Sequence, residues 1–246
     1  MSMAMAASAA MPRQRSTNEP RLTPADATQI LLGWQRNARS TLTWLHRDWL
    51  ALALGIDPGP SSEEALAALR ERCDEACSLA VLRVLLPAPP TLEAFSATPA
   101  TRLDALPVET GLRVLRMQAL LARRAEVRRL VDRTTRKRLA EWIGCPLDDL
   151  LGKTVPEAPS LADAKRERAG TRALGSIDAD ALALEGLTLL PLMDTHPMML
   201  RLALPREDDE QDATNAKPSD DECEDAFVLL RERIGPLLPE YAWLSG

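Results

Sequence analysis

Leu31, Ala38, Leu45 and Leu52 recur every seven residues near the start of the chain, and Leu42 and Trp49 fill the adjoining stripe. Apolar positions at that spacing line one side of a helix, so residues 23–54 predict an amphipathic helix that packs on others. Thr23 supplies a capping oxygen, Pro24 has no N–H to lose in the first turn, and Gly55 and Pro58 stop the helix. Trp34 and Trp44 fall off the stripe, so one of them is expected to be exposed or to meet a second partner. Ser61 and Glu64 stand at capping-box spacing and open a second helix that Pro87, Pro89 and Pro90 end. The stretch "TLEAFSATPATRLDALP" predicts a short helix and a connection.

The next segment, "GLRVLRMQALLARRAEVRRLVDRTTRKRLAEWIG" from Gly111 to Gly144, predicts one long helix, and "PLDDLLG" adds a short one. Signals weaken between Lys153 and Thr171. A helix is expected from Asp178 to Leu190 with a break at Pro191, and the apolar run 198–204 is compatible with one short β element. The resulting organisation is a disordered N-terminal tail (1–22), a helical domain (23–205), an acidic disordered loop (206–225), and a C-terminal helix with a Gly-Pro interruption and an apolar-aromatic tip (226–246).

Composition agrees. Of 246 residues 46% are apolar but only 3% aromatic, so leucine, alanine and valine fill the core. Strong helix formers dominate over β-branched and aromatic residues, which predicts an all-α, multi-helix domain. No uninterrupted apolar run approaches the roughly 18 residues a membrane-crossing helix needs. The four cysteines, Cys73, Cys77, Cys145 and Cys223, make no disulfide framework, and a soluble cytoplasmic protein is expected.

Charge sharpens the picture. Ten Lys/Arg and two Asp/Glu lie between Leu112 and Arg138, a local +8 in a chain of net −6, while residues 206–225 carry −8. A nucleic-acid-associated helical regulator using 112–138 is the obvious reading. A phosphate-tracking helix, however, concentrates its cations on one solvated face. At 100° per residue Arg113, Arg116, Arg123, Arg124 and Arg128 cluster loosely, Arg129, Arg133 and Arg136 fall opposite, and leucines and valines spread between them. Stacking rings are also missing, with Trp142 the first aromatic. Such arginines suit protein contacts instead, their stems covering apolar surface and their forks meeting carboxylates.

Catalytic and metal chemistry is thin. His46 and His196 lie far apart, Cys73 and Cys77 lack the partners of a zinc site, and Gly152-Lys153-Thr154 lacks the earlier glycine of a phosphate loop. His46 is expected as a packing residue, His196 as a turn residue, and the thiols as buried core groups. No cofactor, metal site or catalytic residue is predicted.

Three stretches in order carry a family resemblance: "LDALPVETGLRVLRMQALLARRAEVRRLVDRTTRKRLAEWIG", "HPMMLRLALP" and the terminal "LLPEYAWLSG". Together they resemble the SctK (YscK/OrgA/MxiK) family of type III secretion proteins, in its Hrp-type branch. Two departures stand out: an acidic insertion after Pro205, and Ser245 in place of an aromatic before the last glycine.

The resemblance implies a non-enzymatic cytoplasmic adaptor of the sorting platform, peripheral to the inner membrane. It would link the cytoplasmic domain of the SctD-type inner-membrane ring protein to the SctQ-type pod protein, and so indirectly hold the export ATPase and its stator. It implies neither nucleic-acid binding nor membrane insertion. Candidate contacts are Arg123, Arg124, Arg128 and Arg129, pairing either with this chain's own carboxylates or with a partner's, and the tip residues Tyr241, Trp243 and Leu244, seated on a partner or folded back on the core.

Overall fold

The computed structural model describes residues 22–57, 59–72, 74–97, 99–152, 173–190, 198–206 and 220–244. All regular elements among them are helical. All but the last residue of the expected N-terminal tail and most of the expected acidic loop lie outside the described residues, as does His196.

The single N-terminal helix of the sequence reading is three: α1 (Pro24–Arg39), α2 (Thr41–Trp44) and α3 (Arg47–Leu54). Thr23 caps α1 as its position predicts, accepting from the Asp26 N–H (3.2 Å). The breaks come from polar side chains that compete for backbone groups. The Ser40 hydroxyl donates to the Arg36 carbonyl, and His46 caps α3 by accepting from the Asp48 N–H. These kinks rotate the seven-residue stripe, so Ala38 and Leu45 are buried while Leu31 and Leu52 face solvent. Gly55 closes α3 in the left-handed conformation, φ 66°, where its lack of a Cβ removes the steric penalty.

The second unit is likewise two helices, α4 (Pro60–Arg72) and α5 (Glu75–Leu85). Asp74 caps α5 by accepting from the Ala76 N–H (2.8 Å), and Ser62, rather than Ser61, bonds to Gly59 at the start of α4. Leu42, Leu45, Leu50, Leu66 and Leu82 form the core of this N-terminal half, with Trp34, Trp44 and Trp49 packed on its edge.

After α6 (Leu92–Ala97) and the 3-10 segment η1 (Pro99–Ala105) comes α7 (Val108–Ala122), the helix around which the second core is built. The expected long helix stops here. It continues as α8 (Arg124–Arg129) and α9 (Arg133–Ile143), because Asp132 accepts from the N–H groups of Thr134 (3.1 Å) and Thr135 (2.9 Å) and starts a new helix. Gly144 ends α9 at φ 71°. α10 (Leu147–Leu151) and α11 (Ala179–Thr188, capped by Asp178) follow. The closest packing joins α7 and α11. A Cβ at Gly186 would lie 1.8 Å from the Leu115 carbonyl oxygen, so only glycine permits this crossing.

Residues 198–204, expected as a possible strand, include a second 3-10 segment, η2 (Met199–Ala203). Its run is apolar on both sides, apart from Arg201, because it lies between the two cores: Met199 and Leu202 belong to the N-terminal cluster, Met198, Leu200 and Leu204 to the central one. No ladder partner is needed, since its polar backbone is satisfied otherwise. The Asp104 carboxylate accepts from Met199 N–H (2.8 Å) and Leu200 N–H (2.9 Å). His46 N–H donates to the Leu202 carbonyl, and Trp49 Nε1 donates to that of Leu204 (both 2.9 Å). Arg201 stacks over the Trp49 ring at 5.2 Å.

α12 runs from Asp220 to Leu237, beginning inside the stretch expected as loop and continuing through the expected break at Pro236. Gln118, fully buried on α7, meets its second turn. Oriented to satisfy both ends, its amide donates to the Ala226 carbonyl (3.0 Å) and accepts from Phe227 N–H (3.2 Å). The 3-10 segment η3 (Pro239–Leu244) then turns the end of the chain back onto η1 and α12.

Candidate protein-interaction surface

The cations of residues 112–138 sort by what each side chain meets. Arg116 is buried; its guanidinium donates to the Ala179 carbonyl (3.1 Å) and to Glu109 Oε1 (3.3 Å), and Asp180 lies 3.8 Å away. Arg138 donates to the carbonyls of Leu174 (3.0 Å) and Gly175 (2.9 Å) and lies over the Trp142 ring. Arg136 pairs with Asp148 (2.9 Å), Arg113 with Glu109 (3.7 Å) and Lys137 with Glu141 (3.8 Å). Arg124 and Arg129 also have partners. The positive segment is therefore largely engaged inside the molecule, which is what arginines among carboxylates and C-terminal carbonyls do best. A row of bare cations for phosphates is not what the folding of 112–138 produces.

Of the four arginines singled out from the sequence, Arg123 is withdrawn from the surface. It is 5% exposed at the bend between α7 and α8, and its guanidinium holds Glu126 Oε2 (2.6 Å) and Glu185 Oε2 (3.1 Å). Glu126 in turn accepts from Leu174 N–H through its other oxygen (3.2 Å). The geometry thus makes Arg123 a clasp between α7, α8 and α11, unable to reach a partner. Arg124 and Arg128 are half-buried and Arg129 is exposed.

The C-terminal tip divides the same way. Leu244, expected as a possible contact, is 3% exposed and belongs to the central core. Tyr241 and Trp243 are half-buried against that core and meet edge to face, centroids 6.4 Å apart. This segment folds back because its apolar residues find a core at hand, which leaves Pro239, Glu240 and parts of the two rings outside.

Two exposed residues were not among the candidate contacts read from the sequence. Val131 and Arg133 sit at the turn between α8 and α9, and Val131 is 89% exposed, the most open large hydrophobic residue among those described. The signal was available in "DRTT", where an aspartate followed by threonine at the third position announces a helix start. The strong helix formers around it hid the break.

The remaining polar groups of the described residues serve caps and internal bonds. Among the described residues no three His, Cys, Asp or Glu side chains gather as metal ligands. Burial pulls the His46 imidazole below its ordinary pKa of 6.5 despite the Asp48 carboxylate, which suits its role as a neutral cap. The Cys77 thiol donates to Asp74 (3.3 Å), which pushes its pKa up, and burial does the same for Cys145; neither is an activated nucleophile. Cys73 lies outside the described residues, and Cys77 stands in the first turn of α5. Gly152 is the residue closing α10; Lys153 and Thr154 lie outside the described residues. Asp104, buried between η1 and η2, has its pKa pushed up to about 7 by burial, against the pull of its two N–H donors. Its neighbours are backbone groups, which makes it a structural pin.

The described residues thus form a helical domain in which Arg116, Arg123 and Arg138 tie helices and turns together, while Arg129, Val131 and Arg133 are exposed around the α8–α9 turn. Residues 23–240 match the family model described as bacterial type III secretion protein (HrpB4), and the chain belongs to that family. The match agrees with the Hrp-type resemblance carried by the three sequence stretches. No curated protein and no solved structure matches the chain. Among the described residues no helix is long and apolar enough to cross a membrane.

Proposed function

We propose that this chain is a non-enzymatic adaptor of a type III secretion sorting platform. It works at the cytoplasmic face of the inner membrane and links the ring protein of the SctD type to the pod protein of the SctQ type. The observation that carries this reading is the family match over residues 23–240, taken with the order of the three SctK-like stretches. The fold supports it. Several cations of the basic segment bind carbonyls and carboxylates of this chain, which favours protein contacts over a nucleic-acid role, and the shallow open concavities on α1 and α12 offer little to a small substrate. Through the pod protein, the export ATPase and stator would be held indirectly.

Affinity-tagged chain purified from cells that assemble the apparatus tests the proposal. The ring protein's cytoplasmic domain and the pod protein are expected to co-purify and to bind the purified chain separately. Recovery of the assembled apparatus with neither protein attached to the tagged chain overturns the adaptor role.

A further inference from the structure

The turn between α8 and α9 is built to hold an apolar side chain out in solvent. Val127, fully buried, and Leu130, packed against the central core, anchor the turn from one side. On the other, the Asp132 carboxylate is committed to the first N–H groups of α9. The only residue between Leu130 and Asp132 is Val131, which stands 89% exposed. A solvated turn gains nothing from valine there; serine or asparagine would satisfy the backbone better.

Arginines surround this apolar point. Arg128, Arg129 and Arg133 flank it, with Arg124 one turn earlier. Four Cα steps keep Arg129 and Arg133 within about 15 Å of each other. The two acids of the stretch do not pair with Arg128 or Arg133, because Glu126 is held by Arg123 and Leu174, and Asp132 by its capping bonds. Arg128 and Arg133 make no ion pair among the described residues.

We infer that this elbow docks on an acidic segment of a protein partner, with Val131 entering a small apolar recess and Arg128 and Arg133 forking the carboxylates around it. A polynucleotide fits worse. It needs a longer row of free cations and rings for stacking, and the segment has no aromatic before Trp142. An anionic membrane also fits worse, since one valine inserts little apolar area and the chain as a whole carries −6. The inference deepens the adaptor reading by naming a surface, and rests on that reading only for the partner's identity.

Site-specific photo-crosslinking in cells that assemble the apparatus tests it, with p-benzoylphenylalanine in place of Val131 and, as control, of the half-exposed Val228 on α12. Position 131 is expected to give a protein adduct at least tenfold above position 228, mapped to an acid-rich peptide. In R128E/R133E, whose thermal melt should match the parent, the adduct falls at least fivefold. Replacing the partner's mapped acids with lysine restores it. Equal yields at the two positions, an adduct indifferent to R128E/R133E, or crosslinking to RNA or lipid at 131 overturns the inference. An acidic adduct from outside the secretion apparatus would leave this surface standing and sink the adaptor reading. Co-purification of ring or pod protein without an adduct at 131 would do the reverse.

Discussion

Gly186→Ala adds one methyl group at the tightest crossing of the fold. The new Cβ would lie 1.8 Å from the Leu115 carbonyl oxygen and 2.6 Å from its carbon, whereas ordinary contact begins near 3.4 Å. Backbone faces backbone here, so no rotamer change relieves the clash, and α7 and α11 must separate by roughly 1.6 Å, the shortfall from that contact distance. Overpacking of this kind costs about 1–3 kcal/mol. A gap of that width also forfeits much of the dispersion between Leu115 and the buried Leu182, Ala183 and Leu187 of α11. Against this, alanine is the better helix former by about 1 kcal/mol. The net expectation is a loss of about 2–4 kcal/mol. Urea unfolding followed by far-ultraviolet circular dichroism reads it as a midpoint lowered by about 1 M, taking a denaturant slope near 3 kcal/mol/M. Gly175→Ala is the matched control, since its Cβ meets nothing within 4 Å. That substitution should leave the midpoint unchanged or raise it by the ~0.4–1 kcal/mol that a less flexible unfolded chain contributes. A Gly186→Ala midpoint at or above that of the parent would refute the close-crossing argument.

Substitutions at three buried residues, Arg123, Asp104 and Leu244, probe the interior, with Arg128 as a surface comparison. Arg123→Glu places a third carboxylate beside Glu126 and Glu185 and should destabilise by about 3 kcal/mol or more, whereas Arg128→Glu should stay within ~0.5 kcal/mol. Thermal melts that rank the two alike would contradict the clasp. Asp104 has a folded pKa of about 7 against an ordinary 3.8, so the folded protein keeps a proton that the unfolded chain releases between those values. Its contribution is fully present below about pH 4 and declines as pH rises to 7, by ~4 kcal/mol at most. Asp104→Asn removes that slope, so the difference in melting temperature should move in favour of the variant between pH 5 and 7; parallel curves would refute it. Leu244→Ala opens a cavity in the central core and should cost about 2–5 kcal/mol, read as a lower melting temperature with helicity retained.

What the sequence disclosed and what it concealed have one physical root. Element type follows from local composition, so an all-α fold was legible from leucine, alanine and the scarcity of β-branched residues. The cap at Thr23 and the stops at Gly55 and Gly144 were legible because each acts within a few residues of itself. Helix breaks were missed where a single polar side chain overrides helix propensity: Ser40 and His46 in the first unit, Asp74 in the second, Asp132 in the basic segment. The run 198–204 was ambiguous because a segment buried on both sides shows no period. For the candidate surface, charge could identify the basic segment but not which arginine turns inward. That choice depends on Glu185, 62 residues from Arg123 in the chain. Val131 stood out only once Leu130 and Asp132 had been assigned their places.

The three stretches behind the family resemblance meet inside the molecule. Asp104 of the first holds the N–H groups of Met199 and Leu200 in the second, and a Cβ at Gly111 would come within 2.7 Å of the Leu200 side chain. Leu244 of the third packs in the same core as Leu106 and Leu200. These stretches therefore specify how the helices lock, and substitutions in them are expected to act through stability. The turn at Val131 lies in the first stretch by sequence but outside the interlock by geometry, since its neighbours Val127 and Leu130 alone face the core. Nothing in the packing of the described residues demands a valine there, or arginines at 128 and 133. A position the fold leaves unconstrained, yet occupied by an exposed apolar residue among cations, is where selection by a partner rather than by folding can act. Partner specificity should accordingly move with residues 128–133, and stability with Asp104, Gly111 and Leu200.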